Sequence, residues 1–318
     1  MLTFLNFITE SAAKSGYSDE HAFTHVWNHM VKHGLTHDKD AMNSELEKAK
    51  TDPTHDLHHS KIPSGGFKGS KKSPEAIQDY HRELSDAVHT VHAIAQRPSF
   101  KKAISQKYQA RVTGKETGKL SDTWKNSGAT NRTSKADTVL FNPKNPEEKM
   151  SISLKKGDSQ LMSAEPNEFH ATYSHALAEH AKSDRGFTAQ HHRQVMSHVE
   201  KIQSNLNAMQ RTNDRTELHR LRDEAQQHLD DIHDKHPGLL QHVAHEASTG
   251  HGKFGHGETG TATHLITTIA GQAPHIHDTE TNKQPIKVGN PRIALPKGKK
   301  KDGTNRPGNV KLDYRIKK

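Results

Sequence analysis

Residues 134–163 read SKADTVLFNPKNPEEKMSISLKKGDSQLMS, and their pattern sets the fold. Thr138, Val139, Leu140 and Phe141 form a short run of β-prone side chains. Met150, Ile152 and Leu154 alternate with Ser151, Ser153 and Lys155, the period of a strand with one buried face. Between the two runs, Asn142, Pro143, Asn145 and Pro146 are turn residues. The spacing predicts a β-hairpin over 137–155, with Asp137 opening one strand and Lys155 near the end of the other. Two side chains of opposite charge then face one spot.

A carboxylate beside an ammonium suits phosphodiester cleavage. Asp is a ligand for Mg²⁺ or Mn²⁺, and a neighbouring Lys orients the attacking water and balances the negative charge that develops. The order here is an acid opening one strand, then Ser153-Leu154-Lys155 in the place of an acid-X-Lys tripeptide. It resembles the PD-(D/E)XK nuclease core. Residues 157–163 are similar to the segment that follows the catalytic strand in some restriction-type nucleases and phage proteins. The resemblance implies a Mg²⁺- or Mn²⁺-dependent endonuclease with Asp137, Ser153, Lys155 and Gln160 at its site. One member departs from the pattern: Ser153 replaces the second acid, and a hydroxyl is a weaker ligand for a hard cation than a carboxylate. Either another acid completes a metal site with Asp137, for which Glu83 and Glu168 are the candidates, or activity is absent. Without the resemblance, the same residues read as an exposed hairpin with charged edges.

Composition bounds the partners. Of 318 residues only 30% are hydrophobic and 5% aromatic, so loose tails are expected beside any core. A net charge of +9 favours polyanions, with nucleic acid, DNA first, as the expected partner. The 28 histidines add conditional charge: below about pH 6 they become largely cationic, so acid should tighten binding to polyanions. The absence of cysteine excludes disulfides and thiolate metal sites. No apolar run is long enough to span a bilayer, so no membrane partner is expected.

The chain opens MLTFLNFITE, in which Leu2, Phe4, Leu5, Phe7 and Ile8 form the apolar face of a short helix. A secretory signal would need a basic start and a longer apolar stretch, so export by its own signal is not expected. Thr3-Phe4 and Phe7-Ile8-Thr9-Glu10 resemble the capsid-targeting propeptide of internal head proteins in large contractile-tailed phages. That implies a capsid or prohead partner, cleavage between Glu10 and Ser11 by a maturation protease, and residence inside the phage head or, after delivery, in the host cytoplasm. The other reading is a plain N-terminal helix docking on the body.

Ser18, Asp19 and Glu20 start a helix whose apolar residues run to about His33. His21, His25, His29, His33 and His37 recur every fourth residue, which makes either a solvated basic stripe or, pairwise, a zinc or nickel site. A second helix is expected over 39–50 and a linker rich in His, Pro and Gly over 51–74. Ser73-Pro74-Glu75 restarts a helix to Ala95, with Glu83 on it. Residues 113–132 read as a basic flexible loop carrying Lys115, Lys119, Trp124 and Arg132. There Trp124 either stacks on a base or pins the loop to the core.

Beyond the hairpin, with Lys156 at its end, a helix over 167–180 carries Glu168 on its first turn, and two charged helices over 188–209 and 212–233 form an antiparallel pair. Glu246-Ala-Ser-Thr-Gly-His-Gly-Lys253-Phe254 is similar to a segment of the same phage nuclease-like proteins, without an assigned chemistry. The tail alternates as β-structure, and Lys299 and Lys300 lie in a lysine-rich loop that either contacts phosphate or solubilises the chain. The expected architecture is α+β: a small mixed sheet bearing the hairpin, flanked by helices and a long helical hairpin. Residues 1–10 would be a propeptide, 11–50 the N-terminal helices, 51–74 a linker, and 75–318 a nuclease-like domain with a helical insertion over 188–235 and a β-rich C-terminus. The rival function is a non-catalytic DNA-binding protein of the phage head.

Overall fold

A computed structural model describes residues 19–61, 73–113, 116–157, 159–268, 272–279, 285–300 and 303–315. The propeptide resemblance, Glu10, Ser11 and Lys115 lie outside the described residues. The chain is α+β, as its alternating periods predict, and divides into two compact units that exchange segments. The first takes Met1–Gly114, Asp137–Leu154 and Ile266–Asp278; the second takes Lys115–Ala136, Lys155–Leu265 and Thr279–Lys318.

In the first unit, helix α1 (Asp19–His33) has Asp19 and Glu20 in its first turn and Lys32 and His33 in its last, the polarity that a helix dipole favours. Its buried stripe of Phe23, Val26, Trp27 and Met30 follows the three-four spacing of one helix face. Asp38 caps helix α2 (Lys39–Thr51) by accepting the Ala41 N–H. Ser73 caps helix α3 (Pro74–Ala95) in the same way, with Pro74 at the first turn, and buries Tyr80, Leu84, Val88, Val91 and Ile94. The segment after α2 is more than a linker. Leu57 is buried in the core and its carbonyl accepts the Tyr80 hydroxyl of α3.

After helix α4 (Lys101–Ser105) comes strand β1 (Gln109–Val112). The Trp27 Nε1–H donates to the Tyr108 carbonyl at 2.8 Å, and the Asn28 amide bonds both the N–H and the C=O of Ala110. These bonds fix α1 to β1. Strands β2 (Thr138–Asn142) and β3 (Asn145–Lys156) form the expected hairpin, closed by a two-residue turn at Pro143-Lys144. With β5 (His264–Thr268) and β6 (His275–Asp278) they complete a sheet of order β1-β2-β3-β5-β6.

In the second unit, a short helix α5 (Asp122–Asn126) and strand β4 (Gln160–Ala164) precede helix α6 (Pro166–Ser183). Helices α7 (Ala189–Arg211) and α8 (Arg215–Lys235) are the predicted pair, and Asp214 caps the second by accepting the N–H groups of Thr216 and Glu217. Their facing stripes, Val195, Val199, Ile202, Leu206 and Met209 against Leu221, Ala225, Leu229 and Ile232, belong to one core. Helices α9 (Leu239–Thr249) and α10 (His251–Phe254) meet at Gly250, whose φ of 68° reverses the chain. Strands β7 (Arg292–Ala294) and β8 (Asn309–Asp313) do not join the hairpin's sheet. They make a second one with β4, of order β4-β8-β7, because the alternating Val310 and Leu312 bury into the same core as Leu161 and Met162. Among the described residues no helix is long and apolar enough to cross a membrane.

Candidate active site

Pairing of β2 with β3 places Thr138 opposite Ile152, and the ladder continues backwards through the Asp137 N–H, which donates to the Ile152 carbonyl at 2.8 Å. The Asp137 carboxylate then turns onto β3. Its Oδ2 accepts the Leu154 N–H at 2.7 Å and the Ser153 hydroxyl at 3.3 Å. Ser153 is 1% exposed, so this acid and this hydroxyl form a fixed pair. The side chain of Lys155 leaves the same strand face as that of Ser153, two residues on.

Within the second unit, Lys155 belongs to a group of charges that converges on Lys135. Burial lowers the pKa of the partly buried Lys135 ammonium; Glu168 and Glu246 oppose that shift, while Lys253 and Lys155 add to it. Lys253 is 1% exposed and donates from Nζ to Glu168 at 3.0 Å. Glu168 also receives the Asn131 amide, at 3.2 and 3.3 Å to its two oxygens. Glu246, 2% exposed on α9, accepts the N–H groups of Gly252 at 2.7 Å and Lys253 at 3.1 Å. Burial pushes its carboxyl pKa up, against the pull of those amides and of the Lys135 and Lys253 ammoniums. His175 Nε2 lies 3.5 Å from the same carboxylate. Ser121 holds the segment from below, donating its N–H to the Lys253 carbonyl and its hydroxyl to the Gly252 carbonyl. Three ammoniums and two carboxylates thus share one largely dry neighbourhood.

Comparison with known protein families, curated proteins and solved structures finds no match for this chain.

The other residues singled out from the sequence are dispersed. Glu83 is buried on α3 in the first unit, 4% exposed. Gln160 is exposed at the start of β4, opposite Asp313 in the second sheet. Lys119 and Arg132 are exposed and Lys156 partly so. Lys299 and Lys300 stand on an exposed turn closed by the Lys300 N–H on the Thr304 carbonyl. Trp124 requires a correction. It is 1% exposed, on α5 behind a Ser121 cap, and packs with Leu120, Ala129, Ala171 and Phe254. Its ring has no free face for a base, so it pins the segment to the core. Among the described residues, three groups of His, Asp and Glu bring three ligand atoms within 4.8 Å of one another, and none contains Asp137, Glu83 or Glu168.

Sequence reading did not single out Lys135 or His175, and it left Glu246 and Lys253 without a role. The signal for the latter pair was the segment that carries both. Its packing is tight enough to test. A Cβ on Gly118 would lie 2.3 Å from the Phe254 ring and 2.5 Å from the Thr259 carbonyl oxygen. Gly118→Ala is therefore expected to cost about 1–3 kcal/mol of stability, read as a lower urea midpoint.

Proposed function

We propose that the chain is a metal-dependent nuclease that cleaves phosphodiester bonds in nucleic acid, DNA first. The observation that supports it most is the hairpin: Asp137 sits opposite Ser153 with its carboxylate oriented by the Leu154 amide, and Lys155 follows on the same strand face. Asp137 and Ser153 offer oxygen donors, the chemistry that Mg²⁺ and Mn²⁺ take; such ions use one or two carboxylates and fill the remaining positions with water and substrate phosphate. In this reading Asp137 and the Ser153 hydroxyl hold the ion, and water and substrate phosphate fill its other positions. A bound ion supplies a more acidic water and charge neutralisation at phosphorus. The Leu154 N–H fixes the lone pairs of Asp137. Lys155 places a positive charge where negative charge builds on the phosphoryl oxygens. Exposed Lys119, Arg132, Lys299 and Lys300 supply phosphate contacts without sequence preference. The resemblance of residues 1–10 to a capsid-targeting propeptide supports residence in the phage head and maturation by cleavage after Glu10.

A second reading is favoured by one observation: Glu168 is already neutralised by Lys253 and Asn131. On this reading the chain is a non-catalytic DNA-binding component of the head, its Glu168 serving structure rather than metal binding. The two part in a cleavage assay on supercoiled and linear DNA with Mg²⁺ or Mn²⁺. Asp137→Ala and Lys155→Ala are each expected to lower the rate by about 100-fold or more while leaving a gel-shift affinity for DNA unchanged. A wild-type chain that binds DNA and never cuts it would leave the second reading standing.

A further inference from the structure

The nuclease reading makes no use of the histidine stripe on α1, and there the first unit carries a second arrangement of ligand atoms. His29 and His33 are one helical turn apart, with ring centroids separated by 4.5 Å. The two nitrogens of His29 have unlike surroundings. Nε2 lies 3.1 Å from Glu45 Oε2, on α2. A carboxylate only accepts, so in the neutral ring Nε2 carries the proton and Nδ1 presents a lone pair. That Nδ1 is buried, has no hydrogen-bond partner, and faces Asp56 Oδ2 at 3.6 Å. Two acceptors therefore confront each other across a gap that a cation would fill. A ring nitrogen of His33 completes the triangle, with the ligand atoms of His29, His33 and Asp56 all within 4.8 Å of one another.

A rival triangle of His29, Glu45 and His55 has the same compactness, but its lone pairs are spent. His55 Nδ1 accepts the Leu57 N–H at 3.1 Å, so its Nε2 carries the proton that Glu45 Oε2 accepts at 2.9 Å. Glu45 Oε1 takes the Lys48 ammonium at 2.7 Å. Glu45 thus behaves as the outer carboxylate that orients a metal-bound imidazole through its far N–H, the usual partner of a ligating histidine. Among the described residues the competitor at Asp56 is the exposed Lys32 ammonium at 3.0 Å, a weak surface pair that an ion displaces.

We propose that His29 Nδ1, His33 and the Asp56 carboxylate form a binding site for a divalent transition metal of the zinc class, with Glu45 fixing His29 from behind and a fourth position left to water. Two imidazoles and one carboxylate are a donor set that zinc takes, and two His at i and i+4 grip from one helix face. Because Asp56 belongs to the turn segment after α2, the ion ties that segment to α1.

The test uses the full chain with Co²⁺ as a visible probe and Zn²⁺ as competitor. His33 and Asp56 are exposed, so His33→Ala and Asp56→Asn leave the core of the fold intact. The expected result is one tight Co²⁺ equivalent with a d–d absorption band that Zn²⁺ removes, and a rise in melting temperature with Zn²⁺. Each variant should bind more than about tenfold more weakly and lose the thermal shift. A His228→Ala control, in the His198, His228 and Asp231 group of the second unit, should bind as the parent does. Binding that is undiminished in both His33→Ala and Asp56→Asn, or that disappears with His228→Ala, would overturn the assignment.

Discussion

Glu246→Ala is expected to destabilise the second unit by about 3–5 kcal/mol, the cost of removing one partner from a buried charge network. The deletion strands three groups at once. The Gly252 and Lys253 amides lose their acceptor, and Lys135 loses one of the two carboxylates that oppose its desolvation. Lys253 keeps Glu168 at 3.0 Å, which caps the loss. Glu246→Gln separates hydrogen bonding from charge: it keeps one acceptor oxygen and should cost about 1–3 kcal/mol. The chain has two tryptophans, and each unit buries one, Trp27 in the first and Trp124 in the second. In a Trp27→Phe background, urea unfolding followed by fluorescence therefore reports on the second unit alone. A loss below about 1 kcal/mol for Glu246→Ala would mean that the carboxyl is held neutral and that the ammoniums do not depend on it.

A lysine near other ammoniums and away from water is a better proton donor than one in solvent, the condition under which it assists at a developing anion. Lys135 meets that condition most fully, since burial and two neighbouring lysines all lower its pKa. Its position two residues before Asp137 puts it on the approach to the hairpin in sequence, and it is the residue to add to any mutational series on cleavage.

The hairpin was legible because three independent signals coincide there: the alternation of Met150, Ile152 and Leu154, the Asn-Pro turn, and the β-prone run before it. Ser73-Pro74 was legible as a helix start for the same kind of reason, a local hydrogen bond that needs no tertiary partner. The charge network was not. Lys135, Glu168 and the Glu246–Lys253 pair come from three separate segments, and Lys and Glu are so seldom buried that each reads as surface when taken alone. Trp124 misled because a single aromatic among polar residues has no period, although the Ser121-Asp122 cap signal stood beside it. Leu57 hid in the same way, one apolar anchor in a stretch of His and Pro. The second sheet depends on pairing β4 with β8 across most of the second unit's length, a choice that alternation within either strand does not specify.

Acid is expected to weaken the second unit more than it tightens binding to polyanions. From sequence, all 28 histidines would gain charge together below about pH 6. Burial breaks that uniformity. His233 is pushed down to about 4 by desolvation, with Nε2 bonded to the Tyr173 hydroxyl at 2.8 Å and a buried Nδ1 that has no partner. His251 is pushed down to about 4 by desolvation and by its neighbours His245, His256 and His175. The unfolded chain takes up protons on these rings near pH 6.5, where the folded chain does not. Their contribution is therefore fully present above about pH 6.5 and is lost as pH falls toward 4. For His233 the full difference is roughly 3 kcal/mol, of which about 2 kcal/mol is gone by about pH 5; the more exposed His251 adds less. Urea midpoints followed through Trp124 in the Trp27→Phe background should fall between about pH 7.5 and about pH 5. His233→Gln keeps a partner for Tyr173 but cannot titrate, and should flatten most of that slope. A wild-type midpoint that does not change over this range would show that His233 protonates without cost. Buried rings such as His233 and His251 add no charge for DNA at about pH 5–6, so the gain in affinity is smaller than the histidine count suggests.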